Sequence, residues 1–292
     1  MGPTTAMDLN RAVTLALVEL RAGRPHTARE LLNTARAAAA DNAYVIAAWG
    51  LLSIHERLEL AIDQTIDTSA CFYSPNETCQ VPALGDIYEA HLGRKRTGVF
   101  VEVGAYDGRT CSNTDFLPPL GWSGLYIEPI PAYFEQCVRW HGRYPTVRFE
   151  NAAAGSEATT IEMHVAGVLS TANPTVRDEY LNIAWAAPHF AKRQTIHVAT
   201  RRLDDILQSH QIAPAFDILV VDTEGFEGDV FRGFSLETWL PKLVVIELAD
   251  TTSAMGRIAS ITADEHVIRD RFANAGYSVA YADHANTIFV RT

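Results

Sequence analysis

Acidic residues stand at or beside the ends of four apolar runs that have the composition of buried β-strands. In an open parallel sheet the carboxyl ends of the strands meet at one edge, and ligands bind in the crevice outside that edge. One acid at a strand end is ordinary, whereas four at the same edge predict a binding site. The four acids are Glu102, Glu128, Asp222 and Glu247.

The loop that follows the first of these strands reads Gly104-Ala105-Tyr106-Asp107-Gly108. A nicotinamide fingerprint requires G-x-G-x-x-G with a pyrophosphate at a helix N-terminus, and Asp107 would repel that pyrophosphate. An acid in this loop suits a ligand with an amino group and a sulfonium, and the glycines allow its close approach to the backbone. Glu128 is placed to accept hydrogen bonds from two ribose hydroxyls. Together these features predict a site for S-adenosylmethionine.

The composition limits the classes of function. The chain has 292 residues, of which 48% are hydrophobic, and a formal net charge of -11. This is enough apolar material for one large domain or two smaller ones, and an acidic chain is a poor partner for nucleic acid. No apolar run reaches bilayer length and no secretory signal is visible, so we expect a cytoplasmic protein without a membrane span. The cysteines favour free thiols, with a Cys71–Cys79 disulfide as the alternative in an oxidising compartment.

The spacing of apolar residues in 1–62 predicts a segment of helices. Gly23-Arg24-Pro25 stops the first helix, Thr27 and Glu30 form a capping box for the second, and a third helix follows. One helical hairpin is too short for a repeat array, which needs about three units. We therefore expect this segment to mediate homo-oligomerisation, with a platform for a partner peptide as the alternative.

Residues 63–85 show no hydrophobic period and predict a linker or a wrapping loop. From residue 86 onward, strand patterns alternate with helical ones, which predicts an α/β, doubly wound and largely parallel sheet. A helix, Ile87–Leu92, precedes the first strand, and another helix is expected directly after that strand. The last two strands are joined by a short turn and predict an antiparallel edge hairpin. The predicted strands are Val99–Val103, Gly124–Glu128, Thr146–Asn151, Phe216–Asp222, Leu243–Glu247, Tyr277–Tyr281 and Thr287–Arg291.

Residues 86–292 resemble the FkbM family of S-adenosylmethionine-dependent methyltransferases in motifs that occur in the family's order. The resemblance implies a class I methyltransferase fold, which is a Rossmann-like sheet of seven strands. It also implies O-methylation of a hydroxyl on a sugar, a glycolipid or a polyketide-type natural product. The helical N-terminal segment lies outside the resemblance. The matching stretches are Val101–Gly108, Ser112–Thr114, Gly121–Pro129, Thr200–Leu207, Asp222–Glu227 and Ile246-Glu247.

The resemblance further implies where the cofactor lies. Asn151, Ala152 and Ala153, at the end of the third strand, should lie beside the adenine. The other cofactor-binding residues that it implies are Glu102, Gly104, Ala105, Tyr106, Asp107, Gly108, Ser112, Asn113, Glu128, Pro129 and Asp222.

Methyl transfer to an alcohol needs an acceptor oxygen aligned with the sulfonium methyl and a base for the hydroxyl proton. Asp222 or Glu224, in the loop after the fourth strand, is the expected base, and His164 is the next candidate. A divalent metal such as Mg²⁺ is the alternative means of lowering the pKa of the acceptor, and Asp222 with Glu247 or Asp250 would hold it.

A long excursion, Gly167–Gln194, separates the third strand from the helix that follows it in the pattern. Long excursions in compact domains are often active-site lids. Its aromatic and polar side chains suit a sugar or an amphipathic ring. We expect the methyl acceptor, a small molecule or a glycan, to contact Ser170, Tyr180, Trp185 and His189.

Two other functions stay open from the sequence. One is methylation of a nitrogen or a carboxylate, although amine methyltransferases often carry Asn/Asp-Pro-Pro-Tyr where this chain has Asp222-Thr223-Glu224-Gly225. The other is a non-catalytic assembly module on the same fold. Such a module has no need for acids at Glu102, Asp107 and Glu128, so the pattern favours an enzyme.

Overall fold

The computed structural model describes residues 6–63, 72–192, 194–248 and 259–292. The chain divides into two compact units, Met1–Ala70 and Cys71–Thr292. None of the described helices combines the length and the apolar character that crossing a bilayer requires.

The described part of the first unit, residues 6–63, consists of three helices, α1 (Ala6–Arg21), α2 (Pro25–Ala38) and α3 (Ala43–Asp63). Small and aliphatic side chains such as Ala16 and Leu32 are fully buried between them. The predicted capping box is wrong, because α2 begins at Pro25 and has no side-chain cap. Proline suits the first helical position, since its ring presets φ and it lacks the N–H that a cap would satisfy. This start leaves Thr27 inside the first turn.

The described part of the second unit contains ten strands and seven α-helices. The strands are β1 (Val99–Val103), β2 (Ser123–Ile127), β3 (Val147–Glu150), β4 (Ala153–Gly155), β5 (Thr160–Val165), β6 (Gln194–Arg202), β7 (Ile218–Val221), β8 (Leu243–Glu247), β9 (Tyr277–Ala282) and β10 (Asn286–Arg291). The helices are α4 (Leu84–Leu92), α5 (Pro131–His141), α6 (Pro174–Asn182), α7 (Leu203–Ser209), α8 (Glu227–Arg232), α9 (Leu236–Trp239) and α10 (Ala259–Asn274).

Seven strands form the main sheet in the order β3-β2-β1-β7-β8-β10-β9. The first five are parallel, and β10 runs antiparallel to both of its neighbours. This is the predicted class I methyltransferase architecture, with its antiparallel hairpin at one edge. Successive side chains alternate between two buried faces, so Val101 packs in one hydrophobic core and Phe100 in the other. The strand order reverses at β1, between β2 and β7, which creates a crevice at their carboxyl ends.

A smaller sheet, in the order β4-β6-β5, stands beside the main one. The sequence analysis missed it, because β5 pairs with β6 across a gap of about thirty residues and no local turn signals the pairing. Part of the excursion Gly167–Gln194 connects these two strands and contains α6. The pairing fixes which side chains of β5 face the crevice.

The predicted helix after β1 is absent. Residues 104–122 form turns and one short 3₁₀ helix, Pro118–Leu120. Backbone conformation explains the result, because five residues have positive φ, namely Gly104, Tyr106, Gly108, Cys111 and Gly121. Two adjacent prolines, Pro118 and Pro119, also remove backbone donors. The stretch instead folds around the carboxylate of Glu102, as described below.

The described part of the predicted linker, residues 72–85, belongs to the second unit and packs against its core. Tyr73 is fully buried and makes edge contacts with Tyr88 and Trp122. Asn76 Nδ2 donates to the carbonyl oxygen of Arg109 at 2.7 Å. These residues therefore wrap the loop that follows β1. Cys79 carries a free thiol, whereas Cys71 lies outside the described residues, as do residues 64–70 of the predicted linker.

Candidate functional site

A pocket opens at the carboxyl edge of the main sheet, above the point where the strand order reverses. It encloses about 960 Å³, part of which is open to solvent. All four strand-end acids line it: Glu102 from β1, Glu128 after β2, Asp222 after β7 and Glu247 from β8. The acids therefore meet because parallel strands end at a common edge.

The glycines of the loop after β1 are required by packing within the protein. Gly104 has φ +82°, and a Cβ there would lie 1.7 Å from the backbone oxygen of Asp222. Gly108 has φ +76°, and its Cβ would lie 2.6 Å from Cys137 Sγ. Gly104 lines the pocket, as do Ala105 and Tyr106, whereas Gly108 does not. The glycines thus bring the loop against β7 and α5 as well as leaving the pocket open.

Glu102 organises the turn that follows this loop. Its buried carboxylate accepts hydrogen bonds from Ser112 Oγ at 2.9 Å, from the Asn113 N–H at 3.2 Å and from the hydroxyl of Thr114. Burial raises the pKa of Glu102 to about 7, although these hydrogen bonds favour the ionised form. Ser112 lines the pocket, but Asn113 does not.

The Asp107 carboxylate is used within its own loop. Its oxygens accept from the backbone N–H of Arg109 at 2.9 Å, from that of Thr110 at 2.7 Å and from the Thr110 hydroxyl at 2.8 Å. Asp107 is not among the residues that line the pocket, which instead include Thr110 and Cys111. Asp107 therefore shapes the loop, and the ligand contact expected from the sequence stays a prediction.

Glu128 lines the pocket, and backbone N–H groups hold both of its carboxylate oxygens. One accepts from the Tyr106 N–H and the other from the Ile130 N–H, each at 2.8 Å. Burial raises its pKa to about 8. Because each oxygen of a carboxylate has two lone pairs, both can accept a further bond from a pair of neighbouring hydroxyls.

The end of β3 supports this arrangement. Asn151 lies outside the pocket, and its Nδ2 donates to the carbonyl oxygens of Glu128 at 2.8 Å and Pro129 at 3.2 Å. Pro129, Ala152 and Ala153 line the pocket. Asn151 thus holds the loop after β2, while the two small alanine side chains form an apolar wall.

Three carboxylates cluster at the ends of β7 and β8. Asp222, Glu224 and Glu247 each offer an oxygen, and these three atoms lie within 4.8 Å of one another. Burial raises the pKa of all three groups, and repulsion from Asp222 adds to the rise at Glu224. Such a cluster can accept a proton or hold a cation. Asp250, which the sequence also suggested as a ligand, lies outside the described residues.

The loop after β7 has an unusual backbone. Glu224 has φ +54° and Gly225 has φ +88°. Thr171 Oγ1 donates to the Glu224 carbonyl oxygen at 2.7 Å, and Asn173 Nδ2 donates to that of Gly225 at 3.0 Å. The residues before α6 therefore hold this loop. Glu227 begins α8 and accepts from the backbone and the hydroxyl of Thr223, so it closes the loop from the other side.

The excursion Gly167–Gln194 contributes only its first part to the pocket. Ser170 lines it, and the hydroxyl of this residue donates to the Gly167 carbonyl oxygen at 2.7 Å. Trp185 is 65% exposed, and neither it nor His189 lines the pocket. Tyr180 is buried and donates a hydrogen bond to the Glu224 carboxylate.

His164 faces away from the site. In β5 the side chain of Met163 points into the pocket, so the next residue points to the opposite face. There His164 lines a separate cavity of about 640 Å³, part of which is open to solvent, and its Nε2 lies 3.3 Å from an Arg177 nitrogen. Burial and Arg177 lower the pKa of His164.

Several pocket residues were not found from the sequence. Gln80 reaches the pocket from the wrapping segment, and no local pattern in that segment signals it. Tyr133 stands in the first turn of the helix that follows Glu128, which is a signal that could have found it. The further residues that line the pocket and were missed include Thr110, Cys111, Ile130, Met163, Val168, Leu169, Ala172 and Phe226.

Comparison with known proteins gives one family and a set of remote structural matches. Residues 102–279 match the sequence model of the methyltransferase FkbM domain. No curated protein matches the sequence significantly. One structural match is an O-methyltransferase from Bacillus cereus in complex with SAH. It has 12% identity and a TM-score of 0.42, and the match covers 81% of this chain and 90% of that one. Another is the O-methyltransferase TomG from Streptomyces achromogenes in complex with SAM, which has 12% identity and a TM-score of 0.40, and this match covers 81% of this chain and 96% of that one.

A third structure is fibrillarin from Aeropyrum pernix with natively bound S-adenosyl-L-methionine. It has 11% identity and a TM-score of 0.36, and the match covers 66% of each chain.

Proposed function

Because the chain belongs to the FkbM methyltransferase family, we propose that it transfers the methyl group of S-adenosylmethionine to a hydroxyl oxygen. The chain is an S-adenosylmethionine-dependent methyltransferase, and the acceptor class is our inference. We infer a hydroxyl on a sugar, a glycolipid or a polyketide-type natural product. The observation that carries this inference is the carboxylate cluster of Asp222, Glu224 and Glu247, which can take up the proton that an alcohol must lose.

In this proposal the pocket has a cofactor half and an acceptor half. Glu128 accepts the two ribose hydroxyls, and Ala152 and Ala153 pack against the adenine. The glycine loop and Ser112 border the amino acid end of the cofactor. The carboxylate cluster then faces the sulfonium side. This arrangement is supported by the positions of these residues around a single pocket.

The chemistry is an in-line displacement. The acceptor oxygen forms a bond to the methyl carbon as the carbon–sulfur bond breaks, and the sulfur leaves as neutral S-adenosylhomocysteine. The hydroxyl proton passes to a carboxylate, for which Glu224 or Asp222 is our choice, and later to solvent. Alignment of the oxygen at about 3 Å from the methyl supplies much of the rate. A base with a raised pKa is well matched to this transfer near neutral pH.

The charge of the pocket supports an acceptor without phosphate groups. Among the described residues that line it, the charged ones are all carboxylates. A phosphorylated acceptor would be repelled by them, whereas a neutral or cationic molecule would not. Apolar side chains such as Met163, Val168 and Leu169 face the same space and suit the face of a ring.

Mg²⁺ is the alternative means of activating the hydroxyl. The same three carboxylates are hard oxygen donors, and their spacing of up to 4.8 Å is compatible with a shared cation. A bound Mg²⁺ would lower the pKa of the acceptor hydroxyl and replace the carboxylate base. Dependence of turnover on Mg²⁺, with loss of activity in a chelator, would favour this version.

The first unit supports a second proposal, that the chain forms a homo-oligomer through its N-terminal helices. Several apolar side chains of α1 and α3 are exposed in this unit, and contact with a second copy of the chain would cover them. Among the described residues they are Leu15, Val18, Tyr44, Ile46, Leu51 and Ile54. The cytoplasmic location stays a prediction from the sequence.

Two experiments test the activity. Calorimetry with S-adenosylmethionine and S-adenosylhomocysteine, with and without Mg²⁺, should give micromolar binding. Transfer of a labelled methyl group should then be measured to neutral glycosides, hydroxylated macrolides and, as a contrast, sugar phosphates. We expect a methyl ether on a neutral acceptor. An N-methyl or methyl ester product would replace the O-methylation proposal, and preference for the phosphates would contradict the charge argument.

A further inference from the structure

The loop that carries Glu224 is held by α6 and by the residues just before it. We propose that Tyr180 is a positioning residue, which fixes the Glu224 carboxylate in its orientation toward Asp222 and the sulfonium end of the pocket. This inference rests on the proposed function, since it gives Glu224 a role in the reaction. It also changes the expectation from the sequence, where Tyr180 was a residue that contacts the acceptor.

The contact itself is direct. Tyr180 lies in α6 with only 7% of its surface exposed, and its hydroxyl donates to Glu224 Oε2. The ring stacks on Phe190, with centroids 5.8 Å apart and planes inclined by 24°. The ring is therefore held independently of the hydrogen bond, so that the hydroxyl is presented at a defined point.

Two more hydrogen bonds connect the same segment to the loop. Thr171 and Asn173 donate to the carbonyl oxygens of Glu224 and Gly225, at 2.7 and 3.0 Å. A Cβ at Gly225 would lie only 2.5 Å from a methyl carbon of Val176 in α6, so the helix packs closely on the loop. A non-glycine residue at positive φ, such as Glu224, persists where its surroundings over-determine it. The backbone is thus set by Thr171 and Asn173, and the side chain by Tyr180.

The electrostatics explain why a donor is needed there. Asp222 precedes Glu224 in the loop, Glu227 opens α8 and Glu247 comes from β8, and all three add negative charge around it. Glu265 of α10 lines the small cavity behind Glu224, which Tyr180 also lines. These neighbours and burial favour the protonated form of Glu224. The hydrogen bond from Tyr180 opposes them, because it stabilises the ionised carboxylate.

The consequence can be measured without an acceptor. S-Adenosylmethionine carries a positive sulfur, whereas S-adenosylhomocysteine is neutral, so an ionised cluster favours the first ligand over the second. The ratio of their dissociation constants therefore reports whether the Glu224 carboxylate is held toward the sulfonium end of the pocket. Calorimetry with each ligand at one fixed pH gives this ratio.

The test variant is Tyr180→Phe, which removes the hydroxyl and keeps the stacked ring. We expect the preference for S-adenosylmethionine over S-adenosylhomocysteine to fall at least threefold. The affinity for S-adenosylhomocysteine should change less than twofold. Tyr281→Phe is the matched control, since it removes a Tyr–carboxylate bond of 2.7 Å to Asp283 at the edge of the sheet.

A double-variant cycle separates positioning from a general structural effect. In a Glu224→Gln background, Tyr180→Phe should change the preference by less than a factor of 1.5, because the charge that it stabilises is already gone. An unchanged preference in Tyr180→Phe, or an equal effect with and without the Glu224 carboxylate, would overturn the proposal. Failure to methylate any alcohol would instead count against the proposed function, and it would leave these binding ratios measurable.

Discussion

The two halves of the pocket are assembled over different distances along the chain. On the cofactor half, Glu102 and Glu128 accept hydrogen bonds from Ser112 and Tyr106, which lie 10 and 22 residues away. On the acceptor half, Glu224 accepts from Tyr180, which lies 44 residues away and belongs to a different layer of the fold. The cofactor half is therefore a local construction that a motif can encode. The acceptor half depends on how the excursion after β5 packs on the loop after β7.

The largest expected effect tests the contact that joins the two halves, between the loop after β1 and the loop after β7. Gly104→Ala would place a Cβ 1.7 Å from the Asp222 backbone oxygen, at φ +82°, and we expect a loss of about 3 kcal/mol or more in the free energy of unfolding. Gly276→Ala is the control, since its φ of +81° is similar but no atom lies within 4 Å of the added Cβ. It should cost about 1 kcal/mol. Equal losses in denaturant titrations would mean that close packing at Gly104 does not matter.

The acceptor half is tested by Glu224→Gln and Asp222→Asn. Each variant removes a proton acceptor while keeping the shape of the side chain, and we expect turnover to fall about 100-fold. Cofactor affinity should change less than threefold, because the ribose and adenine are held on the other half. The check is steady-state kinetics on the identified acceptor, with calorimetry alongside. Full turnover in both variants would mean that neither Asp222 nor Glu224 is the base.

Glu128→Gln tests the cofactor half. An amide cannot accept both backbone N–H groups and two hydroxyls, so we expect the affinity for S-adenosylhomocysteine to fall at least tenfold. Glu162→Gln is the control, since that side chain is 57% exposed. Calorimetric titration measures both. Unchanged binding in Glu128→Gln would contradict the proposal that Glu128 accepts hydrogen bonds from the ribose hydroxyls.

The stability of the ligand-free protein should depend on pH through the same residue. Glu128 titrates near 8 when folded and near 4.5 when unfolded, so between these values the folded state binds more protons and stability falls as pH rises. Glu102, with a pKa of about 7, acts in the same direction. We expect the Tm to fall between pH 6.5 and 8, and to fall less in Glu128→Gln. If scanning calorimetry shows the Tm falling equally with pH in the unchanged chain and in Glu128→Gln, then Glu128 does not contribute to the pH dependence of stability.

The smallest effect on the pocket is expected when the first unit is removed. Removal of residues 1–70 should lower the molar mass of the particle in light scattering, because the exposed apolar side chains of α1 and α3 would be lost. The affinity for S-adenosylhomocysteine should change less than threefold, since every described pocket residue belongs to the second unit. An unchanged ratio of particle mass to chain mass would exclude oligomerisation through these helices.

The sequence by itself determined the architecture and the location of the site. Runs such as Val99–Val103 and Leu243–Glu247 are strands in the structure, and their end acids line one pocket. This was predictable because hydrophobic periodicity reports local structure, and parallel strands bring their carboxyl ends together in any strand order. It also identified the family, since six matching stretches in the family's order leave little ambiguity.

The direction of side chains was decided only by the tertiary structure. His164 and Met163 are adjacent in β5, yet Met163 lines the pocket and His164 the cavity behind it. The pairing of β5 with β6 selects between these faces, and a shift by one residue would exchange them. Asp107 has the right type and position for a ligand contact, but its oxygens bond to their own loop.

The elements missed by the sequence analysis share one physical cause. The helix expected after β1 is replaced by turns around the buried Glu102 carboxylate, whose hydrogen bonds to Ser112–Thr114 form only when β1 is in place. Tyr180 reaches Glu224 only because α6 packs on Gly225. Local patterns fix which residues form strands and where strands end, because that information lies within a few neighbouring residues. The distant side chains that hydrogen-bond to a buried carboxylate are set by packing between layers of the fold. They are therefore decided only in the folded chain.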